Sequence, residues 1–427
     1  MCLRFRSPLS SDGLFRIRAQ RVHFSLVAHA RSSVCSSMRI QRRIRGAVCL
    51  SVHPQGCEQY VQEQIAYITS QPAAPRGPRK ALILGASTGY GLATRITAAF
   101  GSRADTVGVF YERPADEERT ASAGWYNSAF FEEQAHAAGL NAWSLNGDAF
   151  SEEIKQQTLE LVRTSTGPVD LVVYSLAAPR RGQFSSALRP IGRPYTNKTI
   201  NVQTGEVYQT TIPPATEEDI NGTVAVMGGE DWRLWIDALR REGLLASGAI
   251  TVAYSYIGPA LTSSIYREGT IGRAKEHLEA TALSLDGELA STGGRALVAV
   301  NKAVVTLASA AIPCVPLYIA LLYKVMKDRG THEGCIQQMN RLFRDRLYAK
   351  GTIPVDEAGR IRLDELELDP AVQARVQELW DQATTENLPE IADIASYRSE
   401  LSRICGFESP GVDYGADVNQ HVNIPSL

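Results

Sequence analysis

Tyr266 and Lys275 are the residues in this chain best suited to chemistry at an oxygen, spaced Tyr-x8-Lys with Gly269 and Gly272 between them. A phenol can donate a hydrogen bond or a proton to an oxyanion. A cation beside it lowers its pKa and can hold a ribose. Together they suit a reductase. A second pair, Tyr323 and Lys327, has Tyr-x3-Lys spacing, one helical turn, and would serve a carbonyl reductase. Pairs at that spacing arise often by chance, and this one lies late, beyond the last strand read below.

A glycine loop, Gly85-Ala86-Ser87-Thr88-Gly89-Tyr90-Gly91, runs into a helical pattern at Leu92. Glycines there let the backbone turn and approach a pyrophosphate, whose charge the N–H groups of a helix start can bind. The same residues spell G-x-S-x-G around Ser87, the nucleophile elbow of a hydrolase. That alternative needs a later acid and then a His at a strand end. His136, His277, His332 and His421 offer no obvious candidate, since His277 falls in a helix pattern and His421 in a polar tail.

Dinucleotide binding has its own requirements, and they recur in register. Phe110-Tyr111-Glu112 places an acid 21 residues after Gly91, where it can accept hydrogen bonds from a ribose diol. A 2′-phosphate would meet a like charge, so Glu112 favours NADH over NADPH, with Arg113 alongside to soften the preference. Asp148-Ala149-Phe150 brings an acid to the adenine edge, and Ser175-Leu176-Ala177-Ala178 brings small residues where a cofactor passes closely. Tyr254 and Tyr256 share one face of a strand. Tyr256, nearer the carboxyl end, belongs to a pocket, and Tyr254 to packing.

The elements that position these residues form an α/β pattern. Short runs apolar on both faces, at Ala81–Leu84, Thr106–Phe110, Ala142–Leu145, Leu171–Tyr174, Ile250–Tyr254 and Leu297–Val300, alternate with amphipathic helices. A doubly wound parallel sheet of Rossmann type follows, with N- and C-terminal additions and ligands beyond the carboxyl ends of its strands. A helix near Cys57–Ser70 precedes it, joined by the Pro-rich connector Gln71–Pro78. The helix with Trp232 and Trp235 reads as packing. The apolar run Ala303–Tyr323 carries no charge, but Pro313 and Pro316 interrupt it, so it reads as two buried helical segments beside a ligand pocket and not as a membrane span.

Charge narrows the class further. The formal net charge of −2 offers no field for nucleic acid. Residues 1–45 hold ten Arg against the single acid Asp12. Residues 1–37 fit either a mitochondrial-type presequence or an extension before a true start at Met38. The second reading is preferred, because Arg39–Gly46 leads directly into structured-looking sequence. The seven Cys form no C-x-x-C pair and the His no H-E-x-x-H, so neither a metal site nor a disulfide framework is expected, and a reducing compartment such as the cytoplasm suits the chain.

The combination resembles the trans-2-enoyl-CoA reductase and NADH-dependent enoyl-acyl-carrier-protein reductase family of long single chains. The matching strings are Arg45-Gly46, His53-Pro54-x-Gly56-Cys57, Gly85–Gly91, Tyr174–Ala177, Met227-Gly-Gly-Glu-Asp-Trp232, Tyr254–Pro259, Gly269–Lys275 and Val300-Asn-Lys-Ala303. The resemblance covers residues 38–427 as one reductase domain. It implies NADH-dependent reduction of an enoyl-CoA or enoyl-acyl carrier protein in fatty acid synthesis. It further implies Tyr266 as proton donor, Lys275 at NADH, and Tyr256 at substrate. NADH contacts are implied at Gly85, Ala86, Ser87, Thr88, Gly89, Tyr90, Tyr111, Glu112, Asp148, Ala149, Leu176, Ala177, Val304, Val305 and Thr306. The leader falls outside the family pattern, and the loop Arg180–Phe184 is shorter than its counterpart. A monomer is the working expectation, since nothing in the sequence fixes the oligomeric state. A chain begun at Met38 should keep full activity and nearly the same melting temperature. A large loss of either would show that the leader packs on the body.

Overall fold

Alternate residues of each central strand enter different cores, which is why the strand runs are apolar throughout. In the computed structural model, which describes residues 37–45, 48–72, 76–176, 178–307 and 309–427, seven strands form one sheet. They are β1 (Lys80–Leu84), β2 (Asp105–Phe110), β3 (Ala142–Asn146), β4 (Val169–Tyr174), β5 (Leu245–Ser255), β6 (Arg295–Val300) and β7 (Arg360–Arg362). Their order is β7-β6-β5-β4-β1-β2-β3, and every pairing is parallel. The order reverses between β1 and β4, the switch point where such sheets bind ligands. Six strands match the sequence reading. The seventh was missed because Arg-Ile-Arg presents only one apolar residue, Ile361, which is fully buried.

One face of the sheet packs Ala81 and Ile83 with α1 (Pro54–Ser70), α2 (Gly89–Ile96), α3 (Ala123–Ala137) and a helix at Cys335–Leu342. The other packs Leu82 and Leu84 with α4 (Glu152–Ser165), the Trp232 and Trp235 helix α5 (Glu230–Arg241) and α6 (Thr270–Leu289). A third core gathers α7 (Val315–Asp328), α8 (Pro370–Gln382) and α9 (Ile394–Ile404) against the antiparallel hairpin Tyr195–Ile200/Val207–Ile212, which the sequence reading had not marked.

The apolar run is one helix and not two. An irregular stretch leads to a single 3-10 turn at Ser309–Ala311, and α7 then begins at Val315. Pro316 sits in its first turn, where a proline's missing N–H costs nothing, so the proline starts the helix instead of breaking it. Leu317 to Tyr323 have no exposed surface. Their hydrophobicity is spent on a protein core, and among the described residues no helix is long and apolar enough to cross a membrane.

A buried ion pair ties the first half of the sheet to the C-terminal segment. Arg95 on α2 and Glu132 on α3 lie 3.6 Å apart, both side chains fully buried. Arg95 also donates to the Trp143 carbonyl and Ser144 Oγ of β3, and burial pulls its guanidinium down to about 10. Glu132 accepts from Ser426 N at 3.0 Å and Ser426 Oγ at 2.8 Å, while Ser426 Oγ accepts from Ser144 N. Glu132→Ala would strand a buried cation and should cost about 3–5 kcal/mol. Ser426→Ala should cost about 1–3 kcal/mol. Urea unfolding of both variants checks the order, and equal losses would refute it.

Candidate active site

The glycine loop is shaped by close approach. Gly85 has φ +89°, and a Cβ there would overlap the Ser175 carbonyl at the end of β4. A Cβ on Gly91 would overlap the Gly85 carbonyl, so the turn folds back on itself. The helix α2 begins at Gly89, three residues earlier than the sequence pattern suggested. Thr88 at its N-cap makes no side-chain cap bond, and the first turn holds no acid. Its N–H groups remain for an anion.

Glu112 follows the carboxyl end of β2 and is hydrogen-bonded to this cradle through Ser87. Its backbone is fixed by a reciprocal pair with Asn146, Glu112 N to Oδ1 at 2.7 Å and Nδ2 to Glu112 O at 2.9 Å. Ser87 Oγ donates to Glu112 Oε1 at 2.6 Å, leaving the second oxygen for a ribose hydroxyl. Ser87 is therefore engaged with an acid and with no histidine, so the hydrolase alternative fails. Tyr111 beside it is 78% exposed, Asp148 is exposed, and Ala149 is buried. Leu176 Cδ2 approaches the Gly85 Cβ position at 3.3 Å. Ala177 lies outside the described residues. Val304 and Val305 are buried, and Thr306 Cγ2 comes within 3.7 Å of the Gly89 Cβ position, so the segment after β6 meets the glycine loop.

The candidate donor lies beyond the carboxyl end of β5. Tyr266 ends a short helix, Ser263–Tyr266, and Lys275 sits in the second turn of α6. The glycines between them serve contact more than bending. A Cβ on Gly269 would crowd the Ile265 and Arg189 carbonyls, and one on Gly272 would overlap that of Arg267. Lys275 Nζ reaches the Tyr254 carbonyl at 3.4 Å, and desolvation lowers its pKa to about 8. The Tyr266 ring meets Tyr256 edge-on, centroids 4.6 Å apart at 86°. Burial, followed by the charge of Glu367, raises the Tyr266 phenol, which stays protonated. Its hydroxyl has no hydrogen-bond partner among the described residues, although the side chain is only 8% exposed. Tyr254 packs as expected, its hydroxyl 2.6 Å from Thr94 Oγ1.

The rival pair is committed elsewhere. Tyr323 is fully buried, donates to Glu400 Oε2 at 2.6 Å and accepts from Val305 N at 3.0 Å. Lys327 Nζ is held by Asp393 Oδ2 at 2.9 Å. Both groups are structural.

Sequence reasoning missed several polar residues of this region. Glu367 is fully buried and accepts from the hydroxyls of Tyr256 and Tyr318, and Lys302 is a buried cation with Nζ 2.7 Å from the Ala303 carbonyl. Ser255 Oγ and Asn301 Oδ1, at the ends of β5 and β6, are buried with no protein partner. The strand-end rule pointed at Ser255, Asn301 and Lys302. Glu367 follows β7, the strand that was not read.

Residues 39–117 match the family described as the NAD(P)H binding domain of trans-2-enoyl-CoA reductase, and residues 119–348 its catalytic region. Residues 355–418 match a family described as an enoyl reductase FAD binding domain. NADH fits the cradle described above. A flavin does not fit the third segment. Its strands are β7 and the start of the short Val418–Asn419 strand, and among its described residues no strand–glycine turn–helix could approach phosphates. Three of its acids are engaged within the chain, Asp356 by Arg360 and Arg362, Asp364 by Arg362, and Asp369 by capping α8.

The chain is 59% identical over 396 residues to an enoyl-[acyl-carrier-protein] reductase [NADH] of Flavobacterium johnsoniae, covering 91% of this chain and 100% of that protein. Its fold is similar to the crystal structure of Clostridium acetobutulicum trans-2-enoyl-CoA reductase in complex with NADH, with TM-score 0.88 and 43% identity, covering 91% of this chain and 100% of that one. The corresponding Treponema denticola enzyme in complex with NAD gives 0.86 and 47%, with coverage of 91% and 100%. With its catalytic-region match spanning residues 119–348 and relatives of this similarity along nearly their whole length, the chain belongs to the trans-2-enoyl-CoA reductase family.

Proposed function

We propose that the chain is an NADH-dependent enoyl thioester reductase, converting a trans-2-enoyl thioester of coenzyme A or acyl carrier protein to the saturated acyl thioester. The observation that carries this is Tyr266, a protonated phenol with a free hydroxyl, beyond the strand edge where the glycine cradle and Glu112 lie. The names of the relatives, enoyl-acyl-carrier-protein reductase and trans-2-enoyl-CoA reductase, support both the reaction and the two carriers.

NADH, when bound, supplies a hydride to the β-carbon of the conjugated double bond. Negative charge then develops on the thioester oxygen, and Tyr266 donates a hydrogen bond to that enolate. A proton from solvent then adds at the α-carbon and completes the reduction. Lys275 holds the nicotinamide ribose, and Tyr256 lines the substrate side. Tyr266 shares its core with Ala303, Val305, Ile312 and α7, which supports an apolar wall that excludes water from the acyl chain. The glycine loop, Glu112, Tyr256, Tyr266 and Lys275 all lie within residues 38–427, which we read as one reductase domain.

NADH oxidation with crotonyl-CoA, followed at the nicotinamide absorbance, tests the activity. No oxidation by the intact enzyme, with either crotonyl carrier, refutes it. Tyr266→Phe should slow turnover about 10²- to 10³-fold while NADH affinity survives. Tyr323→Phe should instead lower stability by about 1–3 kcal/mol with turnover nearly intact. An active Tyr266→Phe beside a dead Tyr323→Phe would overturn the assignment.

Two further outcomes concern the cofactor. Lys275 loses its charge as pH rises through about 8, so NADH binding should weaken over that range in the parent and not in Lys275→Ala. Fluorescence titrations across pH decide this. Glu112 should favour NADH over NADPH by about 1–3 kcal/mol, or roughly 5- to 150-fold in kcat/KM. Equal kcat/KM for the two, or an unchanged ratio in Glu112→Ala, would sink the role given to Glu112.

A further inference from the structure

The polar groups behind Tyr256 form a hydrogen-bonded chain whose direction can be worked out. Gln373 Nε2 is a donor, and it donates to the Glu367 carbonyl at 2.7 Å and to the Tyr318 hydroxyl at 3.1 Å. Tyr318 accepts there, so its single proton goes to Glu367 Oε1, at 2.6 Å. Tyr256 donates to the same oxygen at 2.8 Å. Ala303 N donates to Oε2 at 2.6 Å. Each carboxylate oxygen thus faces a donor, Tyr318 and Tyr256 at Oε1 and Ala303 N at Oε2, the set that suits an ionised Glu367. Burial raises the Glu367 carboxyl above its ordinary value, and the charge of the buried Lys302 ammonium and the hydrogen bonds from Tyr318, Ala303 N and Tyr256 pull against that rise.

We propose that Glu367 is a positioning residue: by taking the hydroxyl proton of Tyr256, it turns that phenol into an acceptor toward the pocket and leaves Tyr266 as the phenolic donor to the enolate. The two tyrosine rings meet edge to face, 4.6 Å between centroids, and each carries a hydroxyl able to donate to a thioester oxygen. Glu367 breaks this tie. Tyr256 then presents only lone pairs, which suit an N–H of the substrate arm, while the Tyr266 proton has no protein partner to compete for it. The negative charge also disfavours ionisation of Tyr266, keeping it a donor.

This inference rests on the reductase reading, and its failure is distinguishable from failure of that reading. An inactive parent enzyme overturns the reading. Additive losses in an active parent overturn this inference alone. Glu367→Gln replaces one acceptor oxygen with an amide donor and frees the Tyr256 proton. The expected result is a fall in kcat of about 10- to 100-fold, with KM for NADH within about two-fold of the parent. Because Glu367 acts through Tyr256, the loss should largely vanish when Glu367→Gln is made in a Tyr256→Phe background. A purely structural role would lower kcat by the same factor in both backgrounds. If Glu367→Gln does not fold, Glu367→Asp carries the same cycle, since it keeps the charge beside Lys302 but draws the oxygen back from Tyr256. An unchanged kcat in the folded single variant, or losses that add in full, overturns the proposal.

Discussion

A parallel sheet buried on both faces delivers every strand to the same edge, and the chemistry of this protein depends on that alignment. The carboxyl ends of β1, β2, β4, β5 and β6 lead into the glycine loop, Glu112, Leu176, Tyr256 and the Val304–Thr306 segment. Residues far apart in sequence become neighbours without any loop having to cross the molecule. Gly85 lies against Ser175, and the Thr306 methyl lies over Gly89. The order reversal between β1 and β4 opens the crevice in which these ends diverge.

Burial of charge is the cost of this arrangement, met by a specific partner at each site. Lys155 on α4 is 2.8 Å from Asp231 on α5 and donates to the Ala149 and Phe150 carbonyls, so one buried ion pair holds the loop that carries Asp148. The Tyr174 hydroxyl donates to the other oxygen of Asp231. Behind Tyr256, the buried Glu367 carboxylate is met by the Tyr256 and Tyr318 hydroxyls and Ala303 N, and the buried Lys302 ammonium by the Ala303 carbonyl. An uncompensated charge in such places would be strongly destabilising. These pairs therefore fix loop positions more than they add stability.

Much of this was legible in the sequence because it depends on local pattern. Apolar runs gave six strands, and the strand-end rule located Gly85–Gly91, Glu112 and Tyr266. The rival Tyr323/Lys327 pair was better spaced than Tyr266/Lys275, but spacing could not show that its hydroxyl and ammonium are committed to Glu400 and Asp393. What stayed hidden depends on distant partners. β7 has one apolar residue and is a strand only because β6 offers it an edge. Glu367 is an ordinary acid in sequence until Tyr256, Tyr318 and Ala303 N converge on it from three separate elements. Pro316 looked like a break because its position within a helix turn was unknown.

The contact between Ser426 and Glu132 bears on how the chain is made. β1, α2, β2, α3 and β3 leave the ribosome early and contain the buried Arg95–Glu132 pair. Yet two of the hydrogen bonds to that carboxylate come from residue 426, nearly three hundred positions later. Trp125 Nε1 and the Tyr126 hydroxyl likewise wait for the carbonyls of Val422 and Gln420. The cofactor half of the molecule can collapse during synthesis but cannot reach its final packing until translation has passed residue 426. A bulky tag fused directly after Leu427 would stand close to the last contacts to close.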